Sequence, residues 1–177
     1  MTKAKMIVLF GMLLMIFASV AAWAADDIQG LWKIIDDKSG KPKAFVYLYF
    51  YSGKIYGRMM ATIDIKTGIV DDTLDQQKNK AEALAGSPPY CGLDFVYEIE
   101  DKGKSWKGSI IDPEDGGEYN CTITRDGSKL TVRGSLKGPL SFIGRNQTWL
   151  LSSAAELPSD FMLPAISGFK PLIPKKK

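Results

Sequence analysis

The chain has 177 residues, a formal net charge of +3 and no histidine. Without histidine it cannot build a Ser-His-Asp or Cys-His catalytic system, and it lacks the commonest zinc ligand. The small charge argues against nucleic acid or another polyanionic partner, and the length suits one ordinary domain with a real core.

Residues 1–24 are predicted to be a secretory signal peptide. Lys3 and Lys5 precede an apolar run over residues 6–22, and Ala22-Trp23-Ala24 has the small-x-small form of a cleavage site. The alternative, a membrane anchor, needs a longer apolar core. We therefore expect a periplasmic or secreted protein that does not span the membrane after cleavage.

Residues 25–151 are predicted to be an all-β domain. Turn sequences such as Asp101-Lys102-Gly103 and Asp126-Gly127-Ser128 separate short β-rich runs. The runs cover residues 28–35, 44–51, 54–63, 93–100, 104–111, 118–125, 129–136 and 142–151. Eight sequential antiparallel strands with short loops favour an up-and-down barrel, which leaves no open sheet edge. A two-sheet sandwich is the alternative.

The hairpin KAFVYLYFYSGKIYGRMM is apolar or aromatic at almost every position, so both of its faces need a partner. A two-residue turn at Ser52-Gly53 pairs Tyr51 with Lys54 and, further along, Val46 with Met59. This register gathers aliphatic side chains on one face, the predicted interior, and tyrosines on the other. The outer face is interpreted either as ordinary strand residues or as an aromatic docking surface of Tyr47, Tyr49, Tyr56 and Arg58.

Residues 64–90 interrupt the strand pattern with a long polar segment. The stretch DDTLDQQKNKAEALAG is compatible with a short helix ended by Gly86 and Pro88-Pro89. Its apolar positions are sparse, so we interpret the segment as a surface excursion that caps one end of the sheet.

Cys91 and Cys121 are the two cysteines of the chain. A pair with none left over in an exported protein predicts a disulfide between them. The alternative is two buried thiols that never meet, because a flat meander places another strand between them.

Carboxylates cluster in IDPEDGGEY and at Asp71-Asp72. Oxygen ligands of this kind bind calcium, but Asp-Pro followed by Gly-Gly is also typical of a tight turn. The sequence also has no phosphate-binding glycine loop and no paired C-x-x-C motif. We therefore predict no metal, no cofactor and no catalytic residues.

Residues 152–177 are predicted to be a Pro-rich apolar tail. Its four prolines forbid a regular helix. It is nevertheless too apolar for a free linker. The tail either packs across the barrel or binds a partner.

Several motifs together resemble those of the bacterial secreted proteins of domain-of-unknown-function family 2147. They are a G-x-W start, a P-x-C-G-L step, a W-x-G-x-x-x-D-P-x-x-G-x-x-Y run and a closing V-R-G segment followed by G-R-x-Q-x-W. They fall on Gly30 and Trp32, on Pro89 to Leu93, on Trp106 to Tyr119, and on Val132 to Trp149. The resemblance covers nearly all of residues 28–149.

This family is similar to lipocalins in its implied fold, and the resemblance implies no activity. It does imply a device at the closed end of the barrel, in which an arginine of the last strand covers a tryptophan of the first. Here that pair is Trp32 and Arg145, with the guanidinium stacked on the indole.

A closed sheet with an aliphatic interior predicts a non-enzymatic exported binding protein. It would hold a small apolar or amphipathic molecule, such as a lipid. The expected ligand-binding residues are Trp32, Val46, Leu48, Phe50, Met59 and Trp106. The alternative is an envelope protein-protein interaction module that acts through the outer tyrosine face and the tail.

Overall fold

The computed structural model describes residues 27–177, which form nine strands and three short 3-10 turns. The strands are β1 (Gly30–Ile35), β2 (Pro42–Tyr51), β3 (Lys54–Ile63), β4 (Val70–Thr73), β5 (Asp94–Asp101), β6 (Trp106–Ile111), β7 (Glu118–Asp126), β8 (Lys129–Ser135) and β9 (Gly144–Leu151). The 3-10 turns are Gly138–Leu140, Ala154–Glu156 and Ile166–Gly168.

The sheet closes into an eight-stranded antiparallel barrel in the order β1, β2, β3, β5, β6, β7, β8 and β9. Closure comes from β9, which returns to β1 and places Leu151 opposite Trp32. The short strand β4 lies outside this circle and pairs with the end of β3. The predicted barrel is confirmed, and its eight strands are the eight predicted runs.

The connections alternate between the two ends of the barrel. Tight turns join β2 to β3, β5 to β6 and β7 to β8 at one end, which we call the closed end. The longer β1–β2, β6–β7 and β8–β9 loops and residues 64–93 lie at the other, which we call the open end.

The β2–β3 hairpin has the predicted register, with Tyr51 opposite Lys54 and Val46 opposite Met59. A bulge follows, because Phe45 pairs with Ala61 and leaves one extra residue on β3. The aliphatic face points inward, as predicted.

Residues 64–93 contain no helix, so the suggested short helix is wrong. The backbone N–H groups of Lys78 and Asn79 donate to the buried Asp72 carboxylate at 2.7 and 3.2 Å. Ala81 N–H donates to Pro88 O at 2.8 Å. Side-chain and cross-segment partners thus satisfy backbone groups that a helix would pair internally.

The tail packs across the outside of β2 and β3. Leu157, Phe161 and Phe169 are buried against Tyr49 and its neighbours in a second hydrophobic cluster outside the barrel. The Phe169 ring meets the Tyr49 ring edge-on, with centroids 5.1 Å apart. The tyrosine face is therefore an inner layer beneath the tail, which explains why both faces of the hairpin are apolar.

A buried ion pair fastens the tail to the barrel. Arg58 on β3 and Asp94 on β5 lie opposite each other on the outer face of the sheet, with Arg58 Nη2 2.6 Å from Asp94 Oδ2. Arg58 is 6% exposed and Asp94 is 0% exposed. Arg58 also donates to Lys170 O at 2.5 Å, and Leu172 N–H donates to Asp94 at 2.6 Å. The Arg58 guanidinium lies 4.2 Å from the centre of the Phe169 ring.

The last residues are also fixed. Ala85 N–H donates to Lys175 O at 2.9 Å, and Leu84 forms a bridge with Lys176. The tail therefore links the outer face of the barrel to residues 64–93 at the open end.

The predicted signal peptide lies outside the described residues and stays a prediction. Within residues 27–177 no helix is both long and apolar enough to cross a membrane.

We expect Asp94→Ala to lower the free energy of unfolding by about 3 to 5 kcal/mol, because it leaves the Arg58 charge buried without its partner. Urea denaturation measures this loss, and limited proteolysis should show cleavage between residues 152 and 177. Glu100→Gln is the control, since Glu100 pairs with Lys102 at the surface, where solvent screens the pair, and should leave stability nearly unchanged. Equal effects of the two substitutions would contradict the role of the buried pair.

Candidate functional site

The closed half of the barrel is a filled core. Trp32, Val46 and Leu48 are fully buried there, and Trp32 Nε1 donates to Ile28 O at 2.8 Å. Packing is tight at Gly57, where an added Cβ would lie 3.0 Å from Leu48 Cδ2 and 3.0 Å from Val96 Cβ. This half leaves no room for a ligand.

Arg125 covers Trp32, so the predicted pair of Trp32 and Arg145 is wrong. The Arg125 guanidinium carbon lies 5.6 Å from the centre of the indole, and Arg125 also donates to Gly127 O at 2.8 Å and to Asp27 O. Arg145 precedes Leu151, the partner of Trp32, by six residues, which is about 20 Å along a strand. It lies at the open end, where it pairs with Asp37 at 3.4 Å.

We expect Arg125→Ala to lower the free energy of unfolding by about 1 kcal/mol through loss of the cation-π contact and the carbonyl contacts. Arg145→Ala should change it by less than about 0.5 kcal/mol, because its ion pair is exposed. Urea denaturation of both variants checks this order, and the reverse order would contradict it.

A cavity of about 500 Å³ occupies the open half of the barrel. Its walls come from all eight barrel strands, and its apolar depth is lined by Ile34, Ala44, Met59, Phe95, Ile111 and Val132. Trp149 packs on Phe95 with ring centroids 6.0 Å apart and lies between the cavity and the filled core. Gln147 is held at the wall because its Oε1 accepts from Trp149 Nε1 at 2.8 Å.

The mouth of the cavity is polar and carries both signs of charge. Lys43 and Arg145 line it together with the carboxylates Asp112, Glu114 and Asp115. Lys43 lies 3.8 Å from Glu114.

The acidic β6–β7 loop, the candidate calcium site, is built as a turn. Asp112 accepts from Glu114 N–H at 2.8 Å, and Asp115 accepts from Gly117 N–H at 2.6 Å. Within residues 27–177 no cluster of metal-ligating side chains is found.

Tyr90 and Tyr119 supply hydroxyl groups to the same lining. Burial, with Glu114 and Asp112 nearby, raises the pKa of Tyr90 to about 12. Burial and the hydrogen bond to Asp115 also raise the pKa of Tyr119. At neutral pH both hydroxyls stay protonated; the Tyr90 hydroxyl can donate to a ligand, whereas the Tyr119 hydroxyl already donates to Asp115 and can accept.

Most of the predicted ligand-binding residues lie away from this cavity. Met59 lines it, whereas Trp32, Val46, Leu48 and Trp106 belong to the core below it. Phe50 is 58% exposed, because β1 pairs with β2 only as far as Gly30 opposite Leu48 and Phe50 extends beyond the closed end. Of the six expected ligand-binding residues, only Met59 therefore lines the cavity.

The predicted interaction surface is not open to solvent. Tyr49, Tyr56 and Arg58 are buried beneath the tail, and Tyr47 is partly buried. The tail of the same chain is what these residues bind.

Cys91 and Cys121 are free buried thiols, so the predicted disulfide is absent. Cys121 lies in β7, and Cys91 precedes β5, so β6 separates the two strands. Burial raises the pKa of Cys121 to about 12, and burial with the nearby Asp72 also raises the pKa of Cys91. Both thiols are protonated and unreactive at neutral pH.

Sequence reasoning missed the side of the cavity formed by β8 and β9. Gly134, Ser135, Gly144 and Gln147 line it. Gly134 inside a predicted strand was the available signal, because a glycine there leaves open the space that a larger side chain would fill.

The space around Gly57 and Gly134 differs, because Gly57 lies in the filled half of the barrel and Gly134 lines the cavity in the open half. A Cβ at Gly134 would meet only Ile110 at 3.8 Å and Tyr119 at 4.0 Å, both lining residues. We expect Gly57→Ala to lower the free energy of unfolding by about 1 to 2 kcal/mol through overpacking. Gly134→Ala should be neutral or stabilising by up to about 1 kcal/mol. Thermal and urea denaturation test this contrast, and equal losses would mean that the open half is as filled as the closed half.

The family comparison covers most of the barrel. A family model described as "Uncharacterized protein conserved in bacteria (DUF2147)" matches residues 30–150. The chain belongs to the DUF2147 family. The matched range runs from the first residue of β1 to within one residue of the end of β9.

The fold of this DUF2147 member is similar to that of a lipocalin. A solved structure with a similar fold is that of the Helicobacter pylori protein HP1028, described as belonging to the lipocalin family, with a TM-score of 0.56 and 19% sequence identity. The match covers 73% of this chain and 86% of the other. None of the curated proteins compared with the chain matches it.

Proposed function

We propose that this protein is an exported, non-enzymatic binding protein that holds one small amphipathic molecule in the open half of its barrel. The ligand's apolar part would lie against Met59, Phe95 and Val132, and its polar end would lie at the charged mouth. The sequence predicted a ligand site among residues that form the filled core, whereas the proposed site is the cavity at the open end.

The observation that carries the proposal is the cavity itself. About 500 Å³ lies within the range typical of sites for small molecules. An apolar depth favours a hydrocarbon or ring, because burying it removes apolar surface from water. The mouth offers lysine, arginine, carboxylate and tyrosine side chains to a polar group.

The interaction-module alternative receives less support. The tyrosine face that it requires is occupied by the tail, which is held by the Arg58–Asp94 ion pair. A partner on that face would first have to displace the tail and expose this ion pair.

The first residues of the sequence support the proposal that the protein is exported. Lys3, Lys5, the apolar run and Ala22-Trp23-Ala24 are typical of a cleaved signal peptide. We propose cleavage after Ala24 and release into the periplasm or the medium.

Native mass spectrometry of protein purified from the periplasm or medium of the expressing bacterium tests binding and export together. We expect a chain that begins at Ala25 and carries an additional mass of a small molecule, released on denaturation. A dansyl-labelled fatty acid added to the emptied protein should show fluorescence enhancement. If the purified protein carries no additional mass and the emptied protein takes up no dye, the binding proposal is overturned. A purified chain that still begins at Met1 would overturn the proposed cleavage.

Gly134→Leu is the blocking variant, because its side chain enters the cavity. We expect it to weaken dye binding by at least about tenfold through lost space for the ligand. Phe50→Ser is the matched control, since Phe50 lies beyond the closed end, and it should bind as the unaltered protein does. Circular dichroism confirms that both variants are folded. If Gly134→Leu binds the dye normally, the ligand site is elsewhere.

A further inference from the structure

The β8–β9 loop, residues 136–143, presents apolar side chains to solvent at the open end. Phe142 is 73% exposed, Leu140 50% and Ile143 48%. Neighbouring apolar side chains that share such exposure commonly mark a site of contact with another molecule or a membrane.

The loop is held in the conformation that exposes them. Leu136 N–H donates to Ile143 O at 3.0 Å, and Ile143 N–H donates to Leu140 O at 2.9 Å. Arg133 Nη2 donates to Phe142 O at 2.8 Å. These bonds fix the backbone on both sides of Phe142, so exposing its side chain does not require local unfolding.

The charged residues of the loop and of the two strands that it joins are all basic. No aspartate or glutamate occurs between Gly127 and Ala155, whereas Arg133, Lys137 and Arg145 flank the loop. Lys137 pairs with Glu118 at 2.8 Å and Arg145 with Asp37 at 3.4 Å. Within residues 27–177 Arg133 forms no ion pair, and it lies partly exposed beside Phe142, with its guanidinium bound to Asn146 Oδ1 and Phe142 O.

The size of the apolar patch helps to identify the partner. Three side chains at one loop tip expose far less surface than the roughly 800 Å² per partner of a stable protein interface. An apolar tip beside cations instead suits a lipid interface, where the side chains enter the acyl boundary and the cations meet anionic headgroups.

We propose that the β8–β9 loop docks the protein onto an anionic lipid surface. The acidic β6–β7 loop at the same end opposes such contact, so the protein would meet the lipid with its β8–β9 corner. Leu136 and Ile143 also line the cavity, so docking brings the mouth to the lipid. Docking itself does not depend on the cavity binding a ligand.

Co-sedimentation with vesicles tests the proposal. The protein is mixed with vesicles of phosphatidylglycerol or of phosphatidylcholine at low and high salt. We expect binding to phosphatidylglycerol that weakens as salt screens the charges. Phe142→Ser should weaken it about tenfold, as expected when a phenylalanine no longer enters the interface. Lys137→Gln should weaken it about fivefold, the factor expected for one cation at an anionic surface.

Phe50→Ser is the matched control, because it removes an exposed phenylalanine at the opposite end of the barrel. It should bind vesicles as the unaltered protein does, and residues 1–26 are the same in every variant. Equal binding by the Phe142→Ser and Phe50→Ser variants, or no preference for phosphatidylglycerol, would overturn the proposal. A protein that ignores vesicles but forms a Phe142-dependent dimer in solution would also overturn it in favour of a protein partner.

Dye binding separates this proposal from the previous one. The Phe142→Ser variant should still bind the dansyl-labelled fatty acid in solution, because Phe142 does not line the cavity. The Gly134→Leu variant should lose the dye and keep vesicle binding. Loss of both properties in either variant, with the fold intact, would contradict a separate docking surface.

Discussion

The buried ion pair between Arg58 and Asp94 is the constraint on which the outer half of the structure depends. A charged pair in an apolar layer is stable only when its remaining hydrogen-bonding capacity is also used. Tyr49, Lys170 O and Leu172 N–H supply those partners. Because two of them are backbone groups of the tail, the pair fixes which residues of the tail lie over β3 and β5. The Pro-rich tail thus takes up one defined position on the barrel without forming an α-helix or a strand.

The division of the barrel into a filled half and an open half follows from side-chain size. Toward the closed end the inward positions carry Trp32, Leu48 and Trp106, and Gly57 relieves the crowding between Leu48 and Val96. Toward the open end the lining positions of β2 and β8 include Ala44 and Gly134. An eight-stranded barrel is just wide enough for large side chains to fill, so small residues in one half leave a cavity there.

The strands and the hairpin register were predictable, because alternation and turn chemistry are local signals. The site was not, because the same alternation marks every inward position along the barrel and does not say which half is filled. Resemblance to the lipocalin arrangement points to Arg145 as the residue that covers Trp32, whereas the structure places Arg125 there. Arg125 stands next to the Asp126-Gly127 turn, which strand counting already places at the end that holds Trp32. Packing of the tail across the barrel was one of two predicted alternatives, but its partners Arg58 and Asp94 were not predictable, because they are distant in sequence and the tail has no periodicity.

The tail and the cavity share a wall, since consecutive residues of β3 point to opposite sides of the sheet. Arg58 is held outside by Asp94 and the tail, while Met59 faces the cavity. Met59 N–H donates to Leu93 O at 2.9 Å, and Gly92 N–H donates to Met59 O at 2.8 Å, so residues 92–94 are fixed from both sides. The bulge next to Met59 interrupts the regular pairing of β2 and β3 at this level. The docked tail therefore supports the wall of the cavity next to a bulge, where the regular strand pairing is interrupted.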